Sequence, residues 1–104
     1  MTTPPQPLPP REVAGALAAR GLGAWSHADD ALVRDYRFAS FAEALAWMAG
    51  LAPVCDALDH HPTWSNTYDR VQVRLTTHAA GDRVTARDLE LASAMEERFG
   101  RLGA

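Results

Sequence analysis

The sequence predicts an α+β domain in which helices and β-hairpins alternate, in the order α-β-β-α-β-β-α. Two stretches, Ala24 to Phe38 and Trp64 to Thr77, alternate apolar with polar residues around a polar turn, the period-two pattern of half-buried hairpins. Around and between them lie three segments whose apolar residues recur every three or four positions, the helical period. A chain of 104 residues holds one domain with a modest core.

Met1 to Pro10 contains five of the seven prolines, a composition that buries too little surface to order itself. Residues 1–10 are read as a flexible Pro-rich tail and residues 11–104 as a single domain. Pro9 and Pro10 suit a helix start, Val13, Leu17 and Leu22 mark its apolar side, and Gly21 can close it in a left-handed conformation. The first helix is expected over Arg11 to Arg20. Ala24–His27 and Leu32–Phe38 then form a hairpin with its turn at Asp29-Asp30, and His27 lies on the solvated surface.

Ser40-Phe41-Ala42-Glu43 has the spacing of a capping box, because serine oxygen and glutamate carboxylate can each satisfy an amide at a helix start. Phe41, Leu45, Met48, Ala52 and Cys55 form an apolar stripe expected to pack on the sheet. Gly50 and Pro53 predict a kink or break near Gly50, since glycine is costly inside a helix and proline lacks the amide owed to Ala49. The helix ends by Asp59, and Pro62 biases His61 towards an extended backbone. Trp64, Asn66 and Tyr68 alternate into a second hairpin turning around Asp69-Arg70, with Val71, Val73, Leu75 and Thr77 on its return strand. Residues 79–84 are a loop. Thr85 to Asp88 caps a last helix whose apolar side is Leu91, Met95, Phe99 and Leu102.

Composition excludes several classes. With 47% hydrophobic and 22% charged residues and a formal net charge of −3, the chain is an ordinary globular domain and no general nucleic-acid binder. A single cysteine, Cys55, forms no internal disulfide and fits the reducing cytoplasm. No continuous run of about eighteen apolar residues exists and the N-terminus lacks a signal peptide's pattern, so no membrane association is expected.

Three of the four histidines, His60, His61 and His78, fall within nineteen positions. Imidazole titrates near neutrality and passes protons in both directions at physiological pH. A lone histidine is usually a satisfied structural residue. A tight hairpin, however, returns the end of its second strand to the start of its first, which carries His78 back beside His61 and Pro62.

The string Asp56-Ala57-Leu58-Asp59-His60-His61-Pro62-Thr63-Trp64-Ser65-Asn66-Thr67-Tyr68, then Val71 to His78, then Asp88 before Leu91-Ala92, closely resembles the pterin-4a-carbinolamine dehydratase family. The resemblance extends through Trp25, the Phe38/Phe41 pair and Trp47-Met48, covering the chain from about Leu22 to Phe99. It implies three helices on one face of a four-stranded antiparallel sheet and assembly as a homodimer or homotetramer. It also implies a lyase that dehydrates 4a-hydroxytetrahydropterin (4a-hydroxytetrahydrobiopterin) to quinonoid dihydropterin, recycling the cofactor of aromatic amino-acid hydroxylases. The resemblance further implies that neither metal nor organic cofactor is used, the pterin being the substrate, and that an aromatic amino-acid hydroxylase is a partner.

Carried over residue by residue, the resemblance makes His60 and His78 the acid/base pair, with His61 as the third catalytic histidine that also binds and orients the substrate. Asp56 orients a histidine or the ring. Trp64 either walls the pocket or packs in the core, and Asp88 either serves the site or starts the last helix. Arg74 is a solvated strand residue. Two departures stand out: the loop between His78 and Asp88 is one residue longer than in animal members, and Gly50 and Pro53 interrupt a helix that takes part in subunit association. The competing reading is a non-catalytic binding or assembly module of the same fold, in whose members the histidines are typically lost. Three imidazoles can also hold zinc with an open fourth position, but His60 and His61 would have to turn towards one ion with no evident acidic or thiolate fourth ligand.

Overall fold

A computed structural model of the protein describes residues 5–102. Helix α1 spans Pro10–Ala19, strands β1 and β2 Ser26–Ala28 and Ala31–Arg37, and helix α2 Phe41–Leu58. Strands β3 and β4 span Thr63–Thr67 and Arg70–Leu75, a 3-10 turn covers His78–Ala80, and helix α3 spans Ala86–Leu102. The strands form one antiparallel sheet in the order β1-β2-β4-β3, so the hairpins join through their second strands.

The register sets Leu32 opposite Leu75 and Tyr36 opposite Val71, which gathers the apolar side chains on one face. There Leu32, Tyr36, Val71, Val73 and Leu75 are buried with Val13 and Leu17 of α1, Trp47 and Leu51 of α2, and Leu91 and Met95 of α3. Asp35, Ser65, Gln72 and Arg74 stay exposed. The predicted fold class, with three helices on one face of the sheet, is the observed one.

Residues 1–4 of the expected tail lie outside the described residues. Further along, the Leu8 amide donates to the Val84 carbonyl at 2.8 Å, and α1 begins at Pro10, one residue early. Gly21, at φ +69°, ends α1: its amide and that of Leu22 donate to the carbonyls of Ala18 and Leu17, a pattern that needs a left-handed residue. Asp29 and Asp30 both take positive φ, as a two-residue hairpin turn demands. The second turn lies at Tyr68-Asp69, one residue earlier than expected. The side-chain amide of Asn66 donates to the carbonyls of Tyr68 and Arg70, so Tyr68 is a left-handed, exposed turn residue.

Helix α2 corrects two expectations. It runs unbroken through Gly50 and Pro53. The glycine makes room for a neighbour, because a Cβ at position 50 would fall inside the guanidinium of Arg98 on α3. The buried face is Ala44, Trp47, Leu51 and Cys55, whereas Phe41 and Leu45 are 46% and 42% exposed. The helix is apolar on more than one side, and the large Trp47 ring, which packs at 4.5 Å from the Tyr36 centroid, decides which side turns inward. Finally, α2 is long and apolar enough by length and composition to cross a bilayer, with a mean hydropathy of 1.3, although Glu43 and Asp56 lie near its ends and its Trp47 face is packed into the core.

Candidate active site

The site is built where α2 ends, where β4 ends and where α3 begins. Asp59 takes the left-handed conformation at φ +50°, and the amides of Asp59 and His60 donate to the carbonyls of Asp56 and Cys55. This closure ties His60 to the last turn of α2, and the residue is buried at 7% exposure. Its Nε2 lies 2.6 Å from Oδ1 of Asp88, which is wholly buried.

Asp88 also starts α3. The backbone N–H of Thr85 donates to its Oδ2 at 2.8 Å, while Oγ1 of Thr85 accepts from the Arg87 amide at 3.2 Å. The expected cap at Thr85–Asp88 is therefore present, and the same carboxylate reaches the histidine. Oγ1 of Thr77 donates to Oδ2 at 2.9 Å and lies 2.6 Å from Oγ1 of Thr85. A buried carboxylate is tolerable only when its lone pairs are met by donors, and Asp88 has the Thr85 amide and the Thr77 hydroxyl at one oxygen and the His60 ring at the other.

The other two histidines are open to solvent. His61 pairs with Asp56 at 2.9 Å, with side-chain exposures of 58% and 78%. His78 pairs with Asp82 at 3.1 Å and is 98% exposed. The hairpin sets Thr63 opposite Arg74, and Thr77, the residue before His78, bonds to the carboxylate that holds His60. The three imidazoles do not bond to one another; each faces its own aspartate. Among the described residues no three His, Cys, Asp or Glu side chains converge as a metal ion requires.

Trp64 is half-buried, its ring centroid 6.1 Å from that of Trp47. It also lines, with Val33, Asp35, Thr63, Gln72 and Arg74, a cavity of about 340 Å³ that none of the three histidines borders. Burial, and next the charge of Asp56, push the Cys55 thiol above its ordinary range, which keeps it an inert thiol beneath the site. Sequence reasoning missed Thr77, Thr85 and Asp82 as partners. For Asp82 the four-residue spacing from His78 after Gly81 was a usable signal; for Thr77 only the folded hairpin reveals its neighbour.

The chain is similar to known proteins along most of its length. Residues 6–98 match the family described as pterin 4 alpha carbinolamine dehydratase. A protein of Opitutus terrae named "Putative pterin-4-alpha-carbinolamine dehydratase" is 53% identical over 76 residues, 73% of this chain and 78% of its own. A protein of Mesorhizobium japonicum with the same name is 46% identical over 90 residues, 85% of this chain and 89% of its own. The crystal structure of a "transcriptional coactivator/pterin dehydratase" from Brucella melitensis superimposes with a TM-score of 0.81 at 37% identity, covering 88% of this chain and 97% of the other.

Proposed function

The chain belongs to the pterin-4-alpha-carbinolamine dehydratase family, and from that premise we propose that it dehydrates a 4a-hydroxytetrahydropterin to the quinonoid dihydropterin by histidine acid/base catalysis, without metal or organic cofactor. The C4a–O bond breaks as the hydroxyl leaves, an acid supplies the proton that makes it water, and a base takes one proton from a ring nitrogen. One water is lost and no electrons change hands. Both proton transfers suit imidazole at neutral pH.

The observation that carries this reading is the buried His60–Asp88 pair at 2.6 Å. A carboxylate against one ring nitrogen orients the imidazole and offsets the positive charge it gains as a base, so His60 takes the ring proton. His78, solvated beside Asp82, supplies the proton to the leaving oxygen. His61, steadied by Asp56, orients the pterin. Asp88 serves through His60, since both its oxygens are already engaged.

In a cell the protein would recycle the pterin of an aromatic amino-acid hydroxylase in the cytoplasm, where the free Cys55 stays reduced. The exposed Phe41 and Leu45 of α2 give it a surface for homo-oligomer formation. A second reading as a protein-binding module is favoured by one finding, the coactivator name of the Brucella neighbour. The test is the decay of enzymatically generated 4a-hydroxytetrahydropterin with wild type, His60→Ala and His78→Ala. The dehydratase reading expects each folded variant to lose at least about tenfold, a floor below the roughly 10²- to 10⁴-fold that general acid/base groups contribute. Unchanged rates in both variants would refute the histidine assignment.

A further inference from the structure

We infer that the Asp88–Thr77–Thr85 cluster holds neutral His60 in the form protonated at Nε2, leaving Nδ1 as the atom through which His60 exchanges protons, with Thr77 and Thr85 as positioning residues. That Nδ1 meets a pterin rests on the dehydratase reading; the tautomer itself does not.

The cluster fixes its own polarity. The Thr85 backbone N–H, 2.8 Å from Oδ2 of Asp88, is a donor that cannot be reversed, so Oδ2 must accept. At 2.9 Å from the same oxygen, Oγ1 of Thr77 must point its one proton there, because the alternative sets lone pair against lone pair. With that proton committed, Oγ1 of Thr77 can only accept at 2.6 Å from Oγ1 of Thr85, so Thr85 donates. Oγ1 of Thr85 in turn accepts from the Arg87 amide. Every proton in the chain then has one place. What remains to His60 is Oδ1 at 2.6 Å; a carboxyl group ordinarily gives up its proton before an imidazole does, so Oδ1 is an acceptor, and a neutral imidazole facing an acceptor carries its proton on that nitrogen. Its Nδ1 keeps the free lone pair. As a base, Nδ1 takes a proton and the resulting imidazolium stays bonded to Asp88 through Nε2–H; as an acid it returns that proton from the same atom.

The arrangement makes Asp88→Asn a decisive perturbation. The Thr85 amide and the Thr77 hydroxyl both demand an acceptor at the Oδ2 position, so the asparagine must place its carbonyl there and its NH2 where Oδ1 was. Every donor of the cap remains satisfied and α3 keeps its start. Yet Nε2 of His60 now faces a donor, must accept, and carries its proton on Nδ1 instead. The variant folds with the opposite tautomer.

Long-range proton–nitrogen correlation spectra of ¹⁵N-labelled protein read this directly, since protonated and unprotonated imidazole nitrogens resonate far apart; His60→Gln assigns the signals. Expected are an Nε2–H His60 in wild type, an Nδ1–H His60 in Asp88→Asn, and a fall of about 10³- to 10⁴-fold in kcat with little change in KM, as where an orienting aspartate is replaced by asparagine beside a catalytic histidine. Thr77→Val should lower kcat by a smaller factor and Thr77→Ser restore it. An Nδ1–H His60 in wild type, or an unchanged tautomer in folded Asp88→Asn, overturns the inference. If Asp88→Asn does not fold, the wild-type tautomer and the Thr77→Val/Thr77→Ser pair decide it. Wild type with the expected tautomer but no dehydratase activity would sink the dehydratase reading and leave the tautomer assignment standing.

Discussion

Replacing Gly50 by alanine should stabilise the protein, although position 50 is crowded. A Cβ there would overlap the end of the Arg98 side chain, so the guanidinium must swing away. Three quantities decide the sign. Glycine inside a helix costs about 1 kcal/mol relative to alanine, and α2 recovers that. Nε of Arg98 is buried with no hydrogen-bond partner among the described residues, a state costing about 1–3 kcal/mol, and rotation into solvent relieves it. Against both stands the lost packing of a half-buried arginine stem, about 1–2 kcal/mol from the area it covers. The balance is a gain of about 1 kcal/mol, which in a domain of this size raises Tm by roughly 4–8 °C. Urea unfolding of Gly50→Ala beside wild type, with the m-value unchanged, measures it. A loss exceeding about 1 kcal/mol would show that the guanidinium cannot leave and that the glycine is obligatory.

Two further perturbations address the packing behind the site. Oε1 of Glu96 on α3 accepts from Nε1 of Trp25 at 3.0 Å, from the Tyr36 hydroxyl at 2.9 Å and from Nε of Arg34, so Glu96→Ala leaves several half-buried donors unmet and should cost about 3 kcal/mol in urea unfolding. Glu96→Gln, which keeps an acceptor, should cost about 1 kcal/mol; an alanine variant as stable as wild type would remove Glu96 from the account. Burial first, then the charge and hydrogen bond of Glu96, push the Tyr36 hydroxyl well above the usual tyrosine range. The folded state therefore holds this proton more tightly than the unfolded state, the contribution is complete below about pH 10, and stability falls as pH rises beyond the unfolded value. Tm measured against pH should decline more steeply above pH 10 in wild type than in Tyr36→Phe, and equal slopes would contradict the assignment.

Much of this architecture was legible because the signals are local. The Ser40–Glu43 cap was readable from spacing alone, and the structure shows the Glu43 amide donating to Oγ of Ser40 at 3.1 Å and the Ala39 amide to Oε2 of Glu43 at 3.3 Å. The Asp29-Asp30 turn and the Gly21 closure were readable for the same reason. Errors came where partners are distant in sequence. Gly50 read as a break because its reason, Arg98, lies on another helix. The stripe of α2 was misassigned because the helix is apolar on two sides and only the Tyr36 and Phe38 rings of the sheet select Trp47. At the site, the adjacency of His60 and His61 hid their difference. One is buried against Asp88 and the other exposed beside Asp56, a division set by the left-handed Asp59 and by a carboxylate twenty-eight residues away.

The most direct measurement is the rate of 4a-hydroxytetrahydropterin loss, followed by absorbance at neutral pH, with catalytic amounts of wild type and of His60→Ala against buffer. The account predicts clear acceleration by wild type with turnover, and a His60→Ala protein that keeps its fold while losing about 10²- to 10⁴-fold, the contribution of a positioned acid or base. A well-folded wild type no faster than buffer, or a His60→Ala variant as fast as wild type, would contradict it.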